Sequence, residues 1–291
     1  MLGIFLLCLV SCGGDVSSDY PVFDLKDDVS SLELFNHVSD AEVIPLETSD
    51  DCLIRSIDKI SKFGEGFLIL DRKARRILHF NHDGSYVGKI DRVGRGPGEY
   101  MFISDFDVVD DQIHVLDMDR VLVYDIDGNP LKTVMIDLDC DMCAFKAMEQ
   151  GGYLVAAPDE SRYLLHVIDT EGKEVSRMLK CSKAQIEALM TRTDGWCISS
   201  SGEETYLSVP FLESVFLLKD GEVQEQKLFV TSESPSGLIK KLAGKRDSQA
   251  FIDRISSECF NPGRKMATPF YYSCFGSFNG SPVLLFHEKA T

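Results

Sequence analysis

Two short runs of the sequence gather oxygen-bearing side chains that could bind a ligand. The first run contains Ser56 and Asp58, and the second contains Ser104, Asp105 and Asp107. Aspartate oxygens suit Ca²⁺ or Mg²⁺. Carboxylates outside a metal motif are mostly surface or turn residues, however, and neither run contains a histidine. The five residues are therefore candidates for ligand binding, and no metal site is predicted.

A glycine-rich stretch follows the first of these runs, and it comprises Gly94, Arg95, Gly96, Pro97, Gly98, Glu99 and Tyr100. Glycine-rich phosphate sites open a helix whose N-terminus holds the anion. Here a proline and a predicted strand at 103–109 follow, and there is no Gly-Lys-Ser/Thr. A tight loop between two repeats is favoured over a phosphate site. In such a loop Arg95 and Glu99 pair with each other or reach a neighbouring repeat.

Cysteine chemistry has little support in this sequence. Of nine cysteines, Cys140 and Cys143 form the one close pair, and no second Cys/His pair at metal spacing accompanies them. The remaining internal thiols stand among apolar residues and are interpreted as core side chains. The serine run 199–201 lacks a nucleophile-elbow pattern. The sequence therefore predicts no catalytic residues and no cofactor.

A repeat identifies the elements that must position these residues. Gly84, Gly128 and Gly172 stand 44 residues apart, and each closes an apolar run followed by a polar turn. A weaker copy ends at Gly221. An apolar strand, a tight turn that tolerates positive φ and a further strand together indicate a hairpin. A period in the low forties is typical of β-propeller blades, so an all-β propeller of four-stranded antiparallel blades is predicted.

Four complete blades can be placed along the chain, over residues 56–90, 103–136, 143–179 and 196–229, with a helical segment at 183–191. Asp71, Asp117 and Asp159 fall in the matching turn after the second strand, where they are expected to bond their own backbone. A helical insertion is predicted at 232–259, with its main part at 235–258. Strands at 270–275 and 283–286 then begin a fifth blade. The first strand of each blade should line a central channel, which makes the five oxygen-bearing residues channel candidates.

Composition excludes one class of partner. The 291 residues include 30 Lys and Arg against 47 Asp and Glu, which gives a net charge of −17. Proteins that bind nucleic acid draw affinity from clustered cations, so a nucleic-acid partner is not expected. The hydrophobic content of 44% is ordinary for a globular protein.

The N-terminus contains a short apolar stretch over residues 2–10, which is too short to span a bilayer as a helix. Its end, Leu9-Val10-Ser11-Cys12, resembles the lipobox of bacterial lipoproteins. The resemblance implies a signal peptide at 1–11, acylation of Cys12 and a tether over 12–39, and more than one acyl chain gives durable anchoring. No Lys or Arg precedes the apolar run. Either the true start lies upstream, the signal is atypical, or the segment is an uncleaved apolar tail.

The loop at 94–100, together with the segments at 43–48 and 53–57, resembles six-bladed, NHL-like β-propeller lipoproteins of Bacteroidota. This resemblance implies a propeller domain over 40–291, held by its lipid in the cell envelope at the outer membrane. It also implies that a strand near 43–46 completes the last blade. Related propellers that act as lactonases or lyases hold a divalent cation at the channel mouth.

The blade count departs from this family, because four full units and half of a fifth are present where six are expected. A truncated gene, a frameshifted product or an incomplete stretch of chain is the favoured interpretation, and a genuine smaller ring is the alternative. The function predicted is that of a non-catalytic binding or scaffold protein whose ligand is a protein, a glycan or a small molecule. The alternative is a lyase or lactonase-like hydrolase that uses a channel-mouth cation.

Overall fold

The computed structural model describes residues 22–23, 43–189, 196–201, 204–209, 214–219, 222–227, 230–231, 270–278 and 281–288. In these ranges the regular secondary structure is β-strand, apart from one short helix. The strands are β1 (Val22–Phe23), β2 (Lys59–Phe63), β3 (Gly66–Asp71), β4 (Arg76–Phe80), β5 (Tyr86–Ile90), β6 (Asp105–Val109), β7 (Gln112–Asp117), β8 (Arg120–Tyr124), β9 (Pro130–Met135), β10 (Ala144–Ala147), β11 (Tyr153–Ala156), β12 (Tyr163–Ile168), β13 (Glu174–Lys180), β14 (Cys197–Ser201), β15 (Glu204–Ser208), β16 (Ser214–Lys219), β17 (Glu222–Lys227), β18 (Val230–Thr231), β19 (Phe270–Phe278) and β20 (Ser281–Glu288).

Four antiparallel sheets, each of four consecutive strands, form propeller blades: β2–β5, β6–β9, β10–β13 and β14–β17. The predicted all-β propeller with four full blades is confirmed. β19 and β20 form a hairpin, as expected from the sequence, and β1 pairs in parallel with β18. The predicted helical insertion at 232–259 lies outside the described residues.

The chain divides into two compact units. The unit formed by 41–159 and 163–178 contains the first three blades. The other unit, formed by 1–40, 160–162 and 179–291, contains the fourth blade and the helix α1 (Lys183–Leu189). Ser182 and Gln185 cap this helix reciprocally, because the Gln185 N–H donates to Ser182 Oγ at 3.3 Å and the Ser182 N–H donates to Gln185 Oε1 at 3.0 Å. In the described part of the chain, no helix is long and apolar enough to cross a membrane.

Apolar side chains on both faces of the blades build the core of the three-blade unit. Along β7, Ile113 and Val115 pack toward the first blade, whereas Leu116 packs toward the third. Strands that are buried on both faces become continuous apolar runs, which explains the sequence of β3. The outer face of the first blade packs against a segment that includes Leu46 and Cys52.

The three repeat glycines occupy equivalent hairpin turns, as predicted. Gly84, Gly128 and Gly172 have φ values of 85°, 76° and 89°, in the left-handed region that favours glycine. The N–H of each donates to the carbonyl three residues earlier, at 3.0, 3.0 and 3.1 Å. A Cβ on Gly172 would lie 1.7 Å from the Met135 oxygen, and one on Gly84 would lie 2.2 Å from the Pro45 oxygen. Glycine is therefore required at both positions by φ and by close packing.

Asp71 and Asp117 are the last residues of β3 and β7, and each holds a neighbouring segment; Asp71 also bonds to the backbone of its own turn, as expected. Asp71 Oδ1 accepts the N–H of Ala74 in its own turn at 3.0 Å. The same carboxylate accepts the N–H groups of Arg55 at 2.8 Å and Ser56 at 3.2 Å. Asp117 accepts the equivalent N–H groups of Met101 at 3.2 Å and Phe102 at 3.0 Å. In the first two blades the aspartate thus fixes the segment that leads into the first strand.

Two predicted strand positions are corrected by the structure. The first strand of the first blade begins at Lys59 rather than at residue 56, because Asp71 holds residues 55 and 56 away from the ladder. Residues 43–48 do not form a strand. The Glu47 N–H nevertheless donates to the Gly84 oxygen at 2.9 Å, as the Asp137 N–H does to the Gly172 oxygen at 2.8 Å. The segment thus contacts the first blade as the end of a preceding outer strand does.

Candidate functional site

The five predicted channel residues fall into two groups in the structure. Asp105 and Asp107 lie on β6, the first strand of the second blade. Ser56, Asp58 and Ser104 instead lie in the segments that lead into β2 and β6. The structure thus places two of the five candidates on a first strand.

Asp105 connects three blades and is 4% exposed. Its Oδ1 accepts the Lys59 ammonium of the first blade at 2.8 Å, and its Oδ2 accepts the Phe145 N–H of the third blade at 3.2 Å. Lys59 Nζ also donates to the Phe106 oxygen at 2.6 Å and lies 5.3 Å from the centroid of that ring. Burial of a carboxylate costs free energy unless it is hydrogen-bonded or paired, and these contacts supply the partners of Asp105.

Asp107 repeats this arrangement two residues later. Its Oδ2 accepts the Ala147 N–H at 2.9 Å and lies 3.8 Å from Lys146 Nζ. Alternate side chains of a strand point to the same side. The two carboxylates of β6 therefore bind alternate N–H groups along the edge of β10.

The remaining candidates stabilise loops. Ser56 Oγ lies 2.6 Å from Asp58 Oδ2 and 3.1 Å from Asp71 Oδ1, so its single proton is directed to carboxylates. Asp58 also accepts the Arg72 N–H at 2.9 Å. The backbone oxygen of Ser104 accepts a hydrogen bond from Arg72 Nη2 at 2.5 Å. These polar groups therefore link the lead-in segments to the turn between β3 and β4.

Sequence reasoning missed the cations that complete this framework. Arg120 donates to Asp117 Oδ2 at 2.8 Å and to the Glu99 oxygen at 3.0 Å. Arg76 lies 3.9 Å from Asp71 and donates to the Leu53 oxygen. In the first two blades an arginine, Arg76 or Arg120, begins the third strand a few residues after the aspartate, and this pattern was visible in the sequence.

The glycine-rich loop connects β5 to β6, and the side chain of its own Glu99 bonds to the loop backbone. The Gly96 N–H donates to Glu99 Oε2 at 2.7 Å. Tyr100 is completely buried, and its hydroxyl lies 2.9 Å from the Arg75 oxygen and 3.0 Å from the Ile90 oxygen. Burial raises the pKa of this phenol well above its ordinary value. Two hydrogen bonds join this loop region to the second blade. Arg92 Nε donates to the Gly128 oxygen at 2.8 Å, and the Tyr124 hydroxyl donates to the Gly98 oxygen at 3.1 Å.

No group of three or more His, Cys, Asp or Glu side chains that could hold a metal ion occurs among the described residues. Neither Cys140 nor Cys143 forms a disulfide. Burial, followed by the negative charges of nearby carboxylates, raises the pKa of Cys140 to about 11. That thiol stays protonated at neutral pH, whereas redox and metal chemistry require the thiolate.

Two buried histidines lie away from the first strands. His114 Nδ1 lies 3.2 Å from the Tyr153 hydroxyl, beside a cavity of about 120 Å³ between the second and third blades. Burial is the main cause that lowers the pKa of His114 to about 4, and the Lys132 charge adds to it. His166 is completely buried between Glu174 Oε1 at 2.7 Å and the Ala157 oxygen at 3.0 Å.

Comparison with solved structures supports the propeller fold. The chain is similar to a predicted exported protein from Bacteroides fragilis NCTC 9343, with a TM-score of 0.59 and 21% identity over 74% of this chain and 63% of that one. It thus spans about 63% of the length of this relative. More distant similarities are to virginiamycin B lyase from Staphylococcus aureus (TM-score 0.42, 9% identity, 60% and 56% of the two chains) and to a protein of unknown function from Bacteroides caccae (0.37, 13%, 56% and 59%).

A search of curated proteins gave no significant match. A protein family described as Domain of unknown function (DUF4934) matches residues 20–280. Because this match extends over most of the sequence, the chain belongs to the DUF4934 family.

Proposed function

We propose that this protein is a lipid-anchored β-propeller of the bacterial envelope that binds a partner and does not catalyse a reaction. The observation that carries the non-catalytic part is the engagement of the β6 carboxylates. Asp105 and Asp107 each accept a backbone N–H of β10, and Asp105 also accepts the Lys59 ammonium. Carboxylates with these partners hold neighbouring blades together, which is a structural role within the propeller and not a catalytic one.

The envelope location has separate support. Residues 9–12 resemble a lipobox, and the Bacteroides fragilis protein of similar fold is a predicted exported protein. A lipid on Cys12 followed by the tether at 12–39 would hold the propeller close to a membrane surface. Binding partners available there include proteins, glycans and small molecules.

Titration with cations separates this proposal from a cation-dependent lyase or hydrolase. The melting temperature of the full chain is measured with Ca²⁺, with Mg²⁺ and with a chelator, for the wild type and for Asp105→Asn. Under the proposal neither ion changes the melting temperature of either protein specifically. A saturable stabilisation of the wild type that Asp105→Asn abolishes would instead favour the enzyme.

Purification from the envelope tests the binding role. The protein is cross-linked in living cells with a cleavable reagent, extracted in detergent and compared with a sample that was not cross-linked. We expect a discrete complex of defined stoichiometry. Recovery of the protein alone under both conditions would argue against a scaffold.

A further inference from the structure

An exposed surface on the first two blades combines cationic and large apolar side chains. We name it the turn surface and define it by Ile57, Arg72, Lys73, Arg75, Phe102 and Met118. Its cations lie in the turn between β3 and β4, and its apolar side chains lie beside the lead-in segments and in the turn after β7. The turn surface lies entirely within the three-blade unit.

Hydrogen bonds connect the parts of the turn surface. Arg72 Nη2 donates to the Ser104 oxygen at 2.5 Å, and Arg75 Nη1 lies 3.5 Å from the Met101 oxygen, so both guanidinium groups reach from the first blade to the second. The Lys73 N–H donates to Ser56 Oγ at 3.3 Å, next to Ile57. These hydrogen bonds join the β3–β4 turn to the lead-in segments of both blades, so the turn surface extends over two blades.

The apolar side chains of the turn surface are open to solvent. The exposed fractions are 58% for Ile57, 53% for Phe102 and 61% for Met118. The backbone that carries Phe102 is fixed, because its N–H donates to Asp117 Oδ1 at 3.0 Å. Large apolar groups that are grouped on a fixed backbone, and rimmed by polar residues, are typical of interaction sites.

Charge indicates the kind of partner. The chain has a net charge of −17, yet within the described residues no carboxylate forms an ion pair with Arg72, Lys73 or Arg75. Asp58 lies nearby, and its carboxylate is directed to Ser56 Oγ and the Arg72 N–H. An arginine that donates one N–H to a carbonyl keeps further donors in the same plane for a carboxylate.

We infer that the turn surface docks an extended acidic polypeptide segment that carries large apolar side chains. Carboxylates of the segment pair with Arg72, Lys73 and Arg75, and its apolar side chains cover Ile57, Phe102 and Met118. A strongly hydrated polyanion would leave these apolar groups in water. The inference rests on the proposed binding function and specifies its partner.

The experiment measures fluorescence anisotropy of a labelled twelve-residue peptide in which Glu alternates with Phe and Leu, titrated with the full chain. We expect saturable binding that weakens as salt is added, because exposed charges are screened. Arg72→Glu with Lys73→Glu should raise the Kd at least tenfold, and Phe102→Ser with Met118→Ser should do the same at constant charge.

Matched controls lie on the third blade. Lys173, whose side chain is 70% exposed, is changed to Glu, and Val175, which is 61% exposed, is changed to Ser. Both controls should leave the Kd within twofold of the wild type. Melting curves of every variant confirm that a lost interaction is not a lost fold.

Three results would overturn the inference. These are a Kd that the turn-surface variants leave unchanged, equal binding of a peptide in which Lys replaces Glu, and absence of peptide binding. Anionic phospholipid vesicles and polygalacturonate are titrated in parallel, and binding of either through the turn surface without binding of the peptide identifies a different occupant. The cation titration does not involve these residues, and the envelope cross-linking reports a partner whichever surface binds it, so failure of this inference is distinguishable from failure of the proposed function.

Discussion

The carboxylate of Asp107 on β6 accepts the backbone N–H of Ala147 on β10 at 2.9 Å, across the boundary between two blades. Two residues earlier, Asp105 accepts the N–H of Phe145. β10 is the edge strand of its sheet and pairs only with β11 in the strand order. Unpaired N–H groups of an edge strand can pair with other chains, so natural proteins cover them. Here the side chains of the preceding blade do so.

Loss of the Asp105 carboxylate should destabilise the fold. Asp105→Ala leaves the Lys59 ammonium and the Phe145 N–H without this acceptor, so we expect a loss of about 3 kcal/mol in the free energy of unfolding. Asp105→Asn keeps one acceptor oxygen and should cost less, about 1 kcal/mol. Urea denaturation measures both values. Asp127→Ala, at an exposed turn position, is the control and should change stability by less than about 0.5 kcal/mol. Equal effects of the two alanine variants would contradict the assigned role.

Alanine at the three repeat glycines should give graded losses of stability. All three positions carry the cost of positive φ, about 1 kcal/mol. At Gly172 and Gly84 the new Cβ would also meet a carbonyl oxygen, at 1.7 and 2.2 Å, whereas at Gly128 the nearest atom is Ile90 Cγ1 at 3.3 Å. We expect Gly172→Ala and Gly84→Ala to destabilise the protein by at least about 3 kcal/mol and Gly128→Ala by about 1 kcal/mol. Thermal melts of the three variants test this order, and equal losses would show that φ alone matters.

His114 should make stability depend on pH. The imidazole has a pKa of about 4 in the folded protein against an ordinary value of 6.5, mainly because it is buried. Below pH 6.5 the unfolded chain binds a proton that the folded chain does not, so stability falls as the pH decreases from 6.5 toward 4, by up to about 3 kcal/mol. Above pH 6.5 the group has no effect. Urea titrations of the wild type and His114→Gln across this range should show a shallower slope for the variant, and identical slopes would refute the assignment.

Cys12 should be the acylated residue. Cys12→Ala should release the protein from membranes or block its maturation, because the lipobox resemblance assigns lipid to that thiol. Labelled palmitate and cell fractionation measure both effects. Cys8→Ala removes the other cysteine of the N-terminal segment and should keep the label. Label retained on the Cys12→Ala protein would exclude acylation at this position.

The sequence alone determined the blades. The 44-residue spacing of Gly84, Gly128 and Gly172 reports a local requirement, since a tight turn with positive φ favours glycine wherever it occurs. The apolar runs of strands such as β3 likewise report burial on both faces. These features depend on residues close together in the chain, so periodicity was sufficient to place the four sheets.

Only the tertiary structure decided what the polar residues do. Ser56 and Asp58 were predicted to lie in a first strand, but Asp71, the last residue of β3, holds the backbone at residues 55 and 56. Asp105 and Asp107 were candidates for ligand binding, and their partners on β10 lie 40 residues further along the chain. Hydrogen bonds between distant segments have no fixed spacing along the chain, because the packing of blades brings their atoms together. The sequence was therefore sufficient to place the blades, whereas the partners of their carboxylates could be identified only from the tertiary structure.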